Sequence, residues 1–377
     1  MRYHIHYSNC VMITESGGDM LFTEQEIQTI REQALGMDKH RQVTPDVLKS
    51  IYDHRLFHLF VPDELEGRMT PLPDAARIFQ ESARIDGNLG WLVTIGAGGG
   101  FFAALMSPDI SRQVFARREA VIAGSGMPTG TARQVDGGYI INGSWKYCSG
   151  STYATTFTAN AVIEPGTMVQ DTTGEPTADQ GEPEIRSFIM NPDQIEIQQD
   201  WNAFGLRATG SHTISAVEAF IPYEMTFSLT ETKGYENEPI YRYPFLPFAQ
   251  VSFAGVAVGI AEHFLEAAES LAVKRGSSSH VIGRLNENKS ALQLSVTDFY
   301  KRVEASWDEL MINGALSDVT EAQVTAQSIE TAHAALCCGQ QLFPLLGLSA
   351  AMEDSEINRC WRDLQTACSH ALLRSYE

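Results

Sequence analysis

Ten histidines and six cysteines are the side chains of this 377-residue chain best suited to hold a metal or act as nucleophiles. Their spacing builds neither site. No HExxH or comparable histidine pattern occurs, so a metal centre is not expected. The cysteines at 10, 148, 337, 338, 360 and 368 form no CxxC pair and read as reduced thiols of a cytoplasmic protein. Gly98-Gly99-Gly100-Phe101-Phe102-Ala103 satisfies the GxGxxA pattern of a phosphate-cradling turn, with Glu119 downstream. The DAARIFQESARI stretch before it has a helical period, so no βαβ unit surrounds the match. Small residues that let two helices, or a helix and a ligand, approach closely are the expected reading. Taken alone, His370, with the ordinary histidine pKa near 6.5, reads as a buried or frayed side chain near the C-terminus.

Elements must hold such residues, and the chain changes character twice. From Thr23 to about Phe115 the pattern is helical, with a Thr23–Glu26 capping box and cap-plus-proline starts at Thr44-Pro45 and Ser107-Pro108. From Val121 to Pro222 it is strand-like. Asp136-Gly137 before Gly138-Tyr139-Ile140-Ile141 predicts a hairpin, and YIINGSWKY, ATTFTANAVI, IRSFIM and TISAVEAFI predict strands. After Pro247 the helical period returns, with Leu292, Val296, Phe299, Val303, Trp307 and Leu310 in one apolar stripe. Asp318 with Glu321 is expected to open the next helix as a second capping box. The prediction is an α+β fold in the order α, β, α. It comprises an irregular extension over 1–19, a helical domain over 20–119, a β domain over 120–225 and helices over 240–377. Residues 164–184, with six acids and no Lys or Arg, predict a solvated loop between two strands.

Charge narrows the partners. With 27 basic against 47 acidic residues the net charge is −20, which repels phosphate backbones and anionic lipid, so nucleic-acid and membrane roles are not expected. No stretch reads as the run of about 20 apolar residues that spans a membrane. The N-terminal MRYHIHYSNCVMITESGGDM lacks an apolar core and a small-residue cleavage site, so a secretory signal is not expected either.

Three stretches carry more specific information: GSGMPTGTARQVDGGYIINGSWKYCSGSTYA (124–154), WNAFGLRATGSHTISAVEAFIP (201–222) and RCWRDLQTACSH (359–370). Together they resemble the middle domain and last helix of the acyl-CoA dehydrogenase superfamily. The resemblance covers nearly all of the chain from Thr23 onward. It implies an N-terminal helical domain, a middle β-barrel or sandwich, a C-terminal four-helix bundle and a homotetramer. It also implies a flavin between the β domain and the C-terminal helices. On the matching positions, Ser125 would meet the pyrimidine edge of the isoalloxazine. Ser149, followed by Gly150, would meet its N5 and O4 region, and Tyr147 would pack against the ring. Short hydroxyls suit such a slot because they donate and accept without filling it. Arg275 falls near the position from which a partner subunit's arginine reaches the flavin phosphates; as a plain helix-end cation it would be solvated instead.

A dehydrogenase of that superfamily needs a carboxylate base for the α-proton, which the family supplies from one of two places. Beyond Arg362-Asp363 the chain reads LQTACSHALLRSYE, with Ala371 at or beside the first; PFAQVSFAGVAVG, around the second, holds no acid. His370 stands there instead. That histidine, with Trp145, Ser149-Gly150 and the Gly205-Leu206-Arg207-Ala208-Thr209-Gly210-Ser211 turn, is similar to the two-component flavin monooxygenases of the same superfamily. Their resemblance implies reduced FMN or FAD delivered by a separate flavin reductase, O2 as co-substrate, and a C4a-hydroperoxyflavin that oxygenates a small aromatic or heteroatom-containing substrate. Ser149 and His370 would be the catalytic residues and Trp91 would line the substrate pocket, although a core tryptophan is an equal reading. An acyl-CoA dehydrogenase with an unusual base and a silent flavin-binding member of the fold are the alternatives.

Overall fold

The computed structural model describes residues 21–164 and 183–374; the extension over 1–19 and most of the acidic 164–184 segment lie outside them. Five helices come first: α1 (Glu24–His40), α2 (Pro45–Asp53), α3 (Leu72–Ile85), α4 (Gly87–Gly100) and α5 (Pro108–Val114). The Thr23 capping box forms as read, its hydroxyl accepting from the Glu26 amide at 3.2 Å and its own amide donating to Glu26 Oε2 at 2.8 Å. Pro45 does start α2, but the Thr44 hydroxyl turns away from the helix to Gln33.

Among the described residues seven strands follow, named β1 (Ile122–Val135), β2 (Gly138–Cys148), β3 (Thr156–Ile163), β4 (Ile185–Met190), β5 (Glu196–Gln198), β6 (His212–Pro222) and β7 (Thr226–Phe227). They form one sheet in the order β5-β6-β2-β1-β3-β4-β7, antiparallel except for β1 beside β3. Asp136-Gly137 makes the expected two-residue hairpin, with Val135 paired to Gly138 and Gly137 at φ +78°. β1 slips register against β3 between Ser125 and Gly130, a bulge that leaves the strand end irregular where chemistry is expected.

Four helices close the chain: α6 (Phe245–Arg275), α7 (Ser279–Asn313), α8 (Asp318–Leu342) and α9 (Glu356–Ala367). The stripe from Leu292 to Leu310 is the buried face of α7, with Trp307 at its margin. α8 corrects one expectation. Its cap is Ser317, whose hydroxyl accepts from the Thr320 amide at 3.4 Å, and Asp318 is already inside the first turn. α6 corrects another: it is long and apolar enough to cross a membrane, and 83% of its most apolar window is buried. Here that apolarity serves a central helix packed on α3, α8 and α9.

The glycine run at 98–100 ends α4, which follows helix α3 rather than a strand. A Cβ on Gly96 would lie 2.2 Å from the Phe57 ring, and one on Gly99 would lie 2.9 Å from Ile122. Close packing is what these small residues provide.

Candidate active site

α4 supplies the first wall. Asp86 caps it, its Oδ1 accepting from the amides of Asn88 and Leu89 at 3.0 and 3.2 Å. The helix is almost wholly buried, yet Ile95 and Gly98 are half-buried, as is Phe102 just beyond it. These three follow Trp91 at intervals of four, three and four, so they share one face. A Cβ built on Gly98 would meet nothing within 4 Å. That face therefore borders a cleft.

The second wall is the turn after β2. Tyr147 and Gly150 take left-handed conformations at φ +67° and +79°, which reverses the chain and turns Ser149 inward to 5% exposure. The turn is tied to residues 206–211 by Gly150 N–H to the Thr209 carbonyl at 2.8 Å and the Ser151 hydroxyl to the Gly210 carbonyl at 2.7 Å. Trp91 Nε1–H donates to Ser149 Oγ at 2.9 Å, Ser149 Oγ lies 2.7 Å from Ser211 Oγ, and Ser211 Oγ lies 2.7 Å from Thr209 Oγ1. Thr209 donates its one proton to the Leu206 carbonyl at 2.9 Å. A carbonyl can only accept, and this fixes every proton in the chain. Ser211 must then donate to Thr209, and Ser149 to Ser211. Ser149 is left with one unshared lone pair: it is set as an acceptor.

His370 forms the third wall. It sits beyond the end of α9, where Nδ1 accepts from the Leu372 amide at 3.3 Å, so the ring proton stays on Nε2. Its ring centroid is 4.4 Å from Phe253 and 5.9 Å from Trp91, and Trp91 stacks on Phe253 at 5.2 Å with 14° between planes. Burial in this aromatic cage, helped by the nearby Arg374 charge, pushes its pKa down to about 4. The ordinary pKa read from sequence is thus corrected. At neutral pH His370 is a neutral imidazole offering an Nε2–H donor. None of the hydrogen bonds or ring contacts of Trp91, Ser149, Phe253 and His370 involves a carboxylate.

The 206–211 turn is itself held by a buried polar knot. Asp363 Oδ1 accepts from the Leu206 amide at 2.6 Å and Asn88 Oδ1 from the Ala208 amide at 2.9 Å. Arg362 grips Asp38 with two nitrogens at 3.1 and 2.9 Å and also donates to the Phe204 carbonyl. Gly205 lets these chains meet, because a Cβ there would lie 2.0 Å from the Arg362 carbonyl oxygen. Burial, and then the charge of Asp86, raise the Asp363 pKa to about 7.

The other sequence candidates are spread more widely. Ser125 lies at the β1 bulge, its hydroxyl accepting from the Met127 amide at 3.4 Å. Tyr147 is 70% exposed and meets Trp201 edge-on at 6.2 Å. Arg275 lies at the far end of α6, where it donates to the Leu346 carbonyl. His212 accepts from the Trp201 amide at 3.0 Å and stays outside the cluster. Sequence reasoning missed Ser211, Thr209 and Phe253. The first two lay inside a quoted motif, but their bonding to a serine some 60 residues away has no local signal. Phe253 was hidden in an apolar run.

A cavity of about 790 Å³ opens elsewhere, among Gln33, His40, Thr44, Asp46 and Tyr153. Its lining carries none of the paired hydroxyl and imidazole groups described above.

Comparison with known proteins bears on the fold. The family described as acyl-CoA dehydrogenase, C-terminal domain, matches residues 251–375. An indole-3-acetate monooxygenase of Pseudomonas putida is 26% identical over 365 residues, covering 93% of this chain and 89% of its own. The crystal structure of the HsaA monooxygenase from M. tuberculosis superposes with a TM-score of 0.84 at 22% identity, covering 93% and 91% of the two chains. XiaF from Streptomyces sp., solved with FADH2 and glycerol, gives 0.80 at 19% identity over 93% and 89%. The chain has the acyl-CoA dehydrogenase fold, and along nearly its whole length it is similar to the oxygenase components of flavin-dependent monooxygenases.

Proposed function

We propose that this protein is the oxygenase component of a two-component monooxygenase that uses reduced FMN or FAD and O2 on a small aromatic or heteroatom-containing substrate. The observation that carries the reading is the pairing of an acceptor-set Ser149 with a neutral His370 in an aromatic cage that contacts no carboxylate. The residues present fit a flavin. The bulged end of β1 carries Ser125, Gly126 has no atom within 4 Å of a would-be Cβ, and Met127 and Tyr147 stand 63% and 70% exposed. Planar apolar surfaces beside a few fixed polar atoms are what such a ring system requires. Ser125, Tyr147, Ser149 and Gly150 would hold it.

A bound reduced flavin supplies the two electrons with which O2 gives one oxygen atom to the substrate and the other to water. Ser149 offers its free lone pair to an N–H, as the reduced flavin presents at N5, and Trp91 and Ser211 keep the hydroxyl from turning. His370 offers Nε2–H to an oxygen atom, and Phe253 and Trp91 keep water out of the cleft. Among the described residues no carboxylate touches Trp91, Ser149, Phe253 or His370 to take an α-proton, which disfavours the dehydrogenase alternative.

A reductase that delivers the reduced flavin is the implied partner, and the cytoplasm the implied compartment. A homotetramer is supported by apolar side chains left exposed on the terminal helices, among them Leu294, Met311 and Ile312 on α7 and Val319 on α8. Arg275 would present the guanidinium N–H groups not engaged with Leu346 to a neighbour's flavin phosphates. Rapid mixing of the reduced-flavin complex with O2 tests the function. Oxygen transfer faster with an arene than without it is expected. Anaerobic bleaching of bound flavin by an acyl-CoA thioester would instead establish a dehydrogenase.

A further inference from the structure

The cleft between α4 and α6 is apolar on nearly every side. Trp91, Ile95 and Gly98 line it from α4, and Phe102 from the turn just beyond. Leu246, Gln250 and Phe253 share one face of α6, at intervals of four and three residues. This face runs from Leu246, 47% exposed at the mouth, to Phe253 under the His370 ring. Gln250 is the polar exception, and it is only 4% exposed. Its Nε2 donates to the Leu372 carbonyl at 3.2 Å, two residues past His370. A carbonyl cannot donate, so the amide cannot be flipped, and Oε1 is the atom facing away from that bond. Oε1 is buried with no hydrogen-bond partner. An orphan acceptor costs about 1–3 kcal/mol, which an apolar residue of similar size would avoid.

We propose that Gln250 determines substrate specificity: its Oε1 accepts a hydrogen bond from the N–H or O–H of an aromatic substrate lying in the cleft lined by Trp91, Gly98 and Phe253. The required ligand is a flat arene bearing a donor, because the walls are aromatic and the orphaned atom can only accept. The role rests on this cleft being the substrate cleft of an aromatic oxygenase. The amide then does two jobs. Its NH2 holds the turn that carries His370, and its carbonyl orients the ring that is to be oxygenated. Indirect effects through the turn would weaken all arenes alike, whereas recognition by Oε1 separates a donor from its methylated analogue.

The test is equilibrium binding of indole, 1-methylindole, phenol and anisole to protein loaded with reduced flavin under anaerobic conditions, read from tryptophan fluorescence. Wild type is expected to bind the donor of at least one pair about tenfold or more tighter than its methylated partner. Gln250→Met is expected to bring that ratio to within about twofold without changing flavin affinity. A ratio near one in both pairs for wild type overturns the assignment, whether or not the variant folds. A ratio that Gln250→Met leaves unchanged overturns it as well. Failure of all four arenes to bind, with flavin bound, overturns the aromatic reading itself.

Discussion

A serine hydroxyl can donate or accept, and in this protein the choice is made three residues away. Thr209 spends its proton on the Leu206 carbonyl, so Ser211 and then Ser149 donate in turn toward it. Ser149 therefore favours a partner that brings its own hydrogen. Reduced flavin is expected to bind about tenfold tighter than oxidised flavin for one such bond, and Ser149→Ala is expected to erase the preference. Thr209→Val should weaken it, since Ser211 then has nowhere to send its proton; equal affinities of wild type for the two redox states would sink this account. His370 gives a pH signature. Its folded pKa of about 4 lies below the ordinary 6.5, so the unfolded chain binds the extra proton between these values. Stability from this group is fully present above about pH 6.5 and is lost as pH falls toward 4. Oxygenation should likewise show no inflection near 6.5 from this ring, and His370→Ala should uncouple oxygen transfer without abolishing flavin binding. A ring titration by NMR centred near 6.5 would contradict the cage.

At the scale of elements, α4 and α6 each do two things. Both bury most of their circumference, which anchors them, and both keep one partly open face for the cleft. The glycines of α4 divide accordingly, Gly96 and Gly99 admitting neighbours while Gly98 faces open space. Gly98→Val is therefore expected to leave thermal stability unchanged or slightly raised, because glycine is the poorer helix former. The same change should reduce arene binding by filling the cleft. A large loss of melting temperature would show that Gly98 is packed after all. α9 joins the helices elsewhere: His263 of α6 bonds Glu356 at 2.9 Å; against burial, Cys360 and then Glu356 hold the imidazole pKa up to about 10, and the His263 bond holds the Glu356 carboxyl down to about 2.

The whole molecule is pinned where its three blocks meet. Asp38 comes from α1, Asn88 from α4, Leu206 and Ala208 from the turn before β6, and Arg362 and Asp363 from α9. Arg362→Met leaves the buried Asp38 with Arg207, at 3.5 Å, as its remaining ion-pair partner and is expected to cost about 3 kcal/mol in urea unfolding. Asp363 sets a second pH dependence. Its folded pKa of about 7 lies above the ordinary 3.8, so its contribution is fully present below about pH 4 and is lost as pH rises through 7. Stability from this group should thus fall between about pH 4 and 7 and level off above that. Asp363→Asn, which keeps an acceptor for the Leu206 amide, should flatten that slope. An unchanged slope would place the titrating group elsewhere.

Much of this was legible in the chain itself. Capping residues, the Asp136-Gly137 turn and the switch of hydrophobic period write out the α, β, α order, because each acts within a few residues along the backbone. The lack of an acid around Ala371 and the significance of His370 are read instead from the resemblance of RCWRDLQTACSH to the superfamily's last helix. The cap at Ser317 rather than Asp318 shows the limit of such reading: two plausible caps stood side by side, and backbone geometry chose. What only the tertiary structure decided is protonation and direction. The low pKa of His370 needs Phe253 and Trp91 around it, from two other helices. Ser149 becomes an acceptor through hydroxyls some 60 residues onward. The Gln250 oxygen is orphaned only because α6 and the C-terminal turn meet. Burial and partner choice are properties of the assembled core, and no local stretch of sequence contains them.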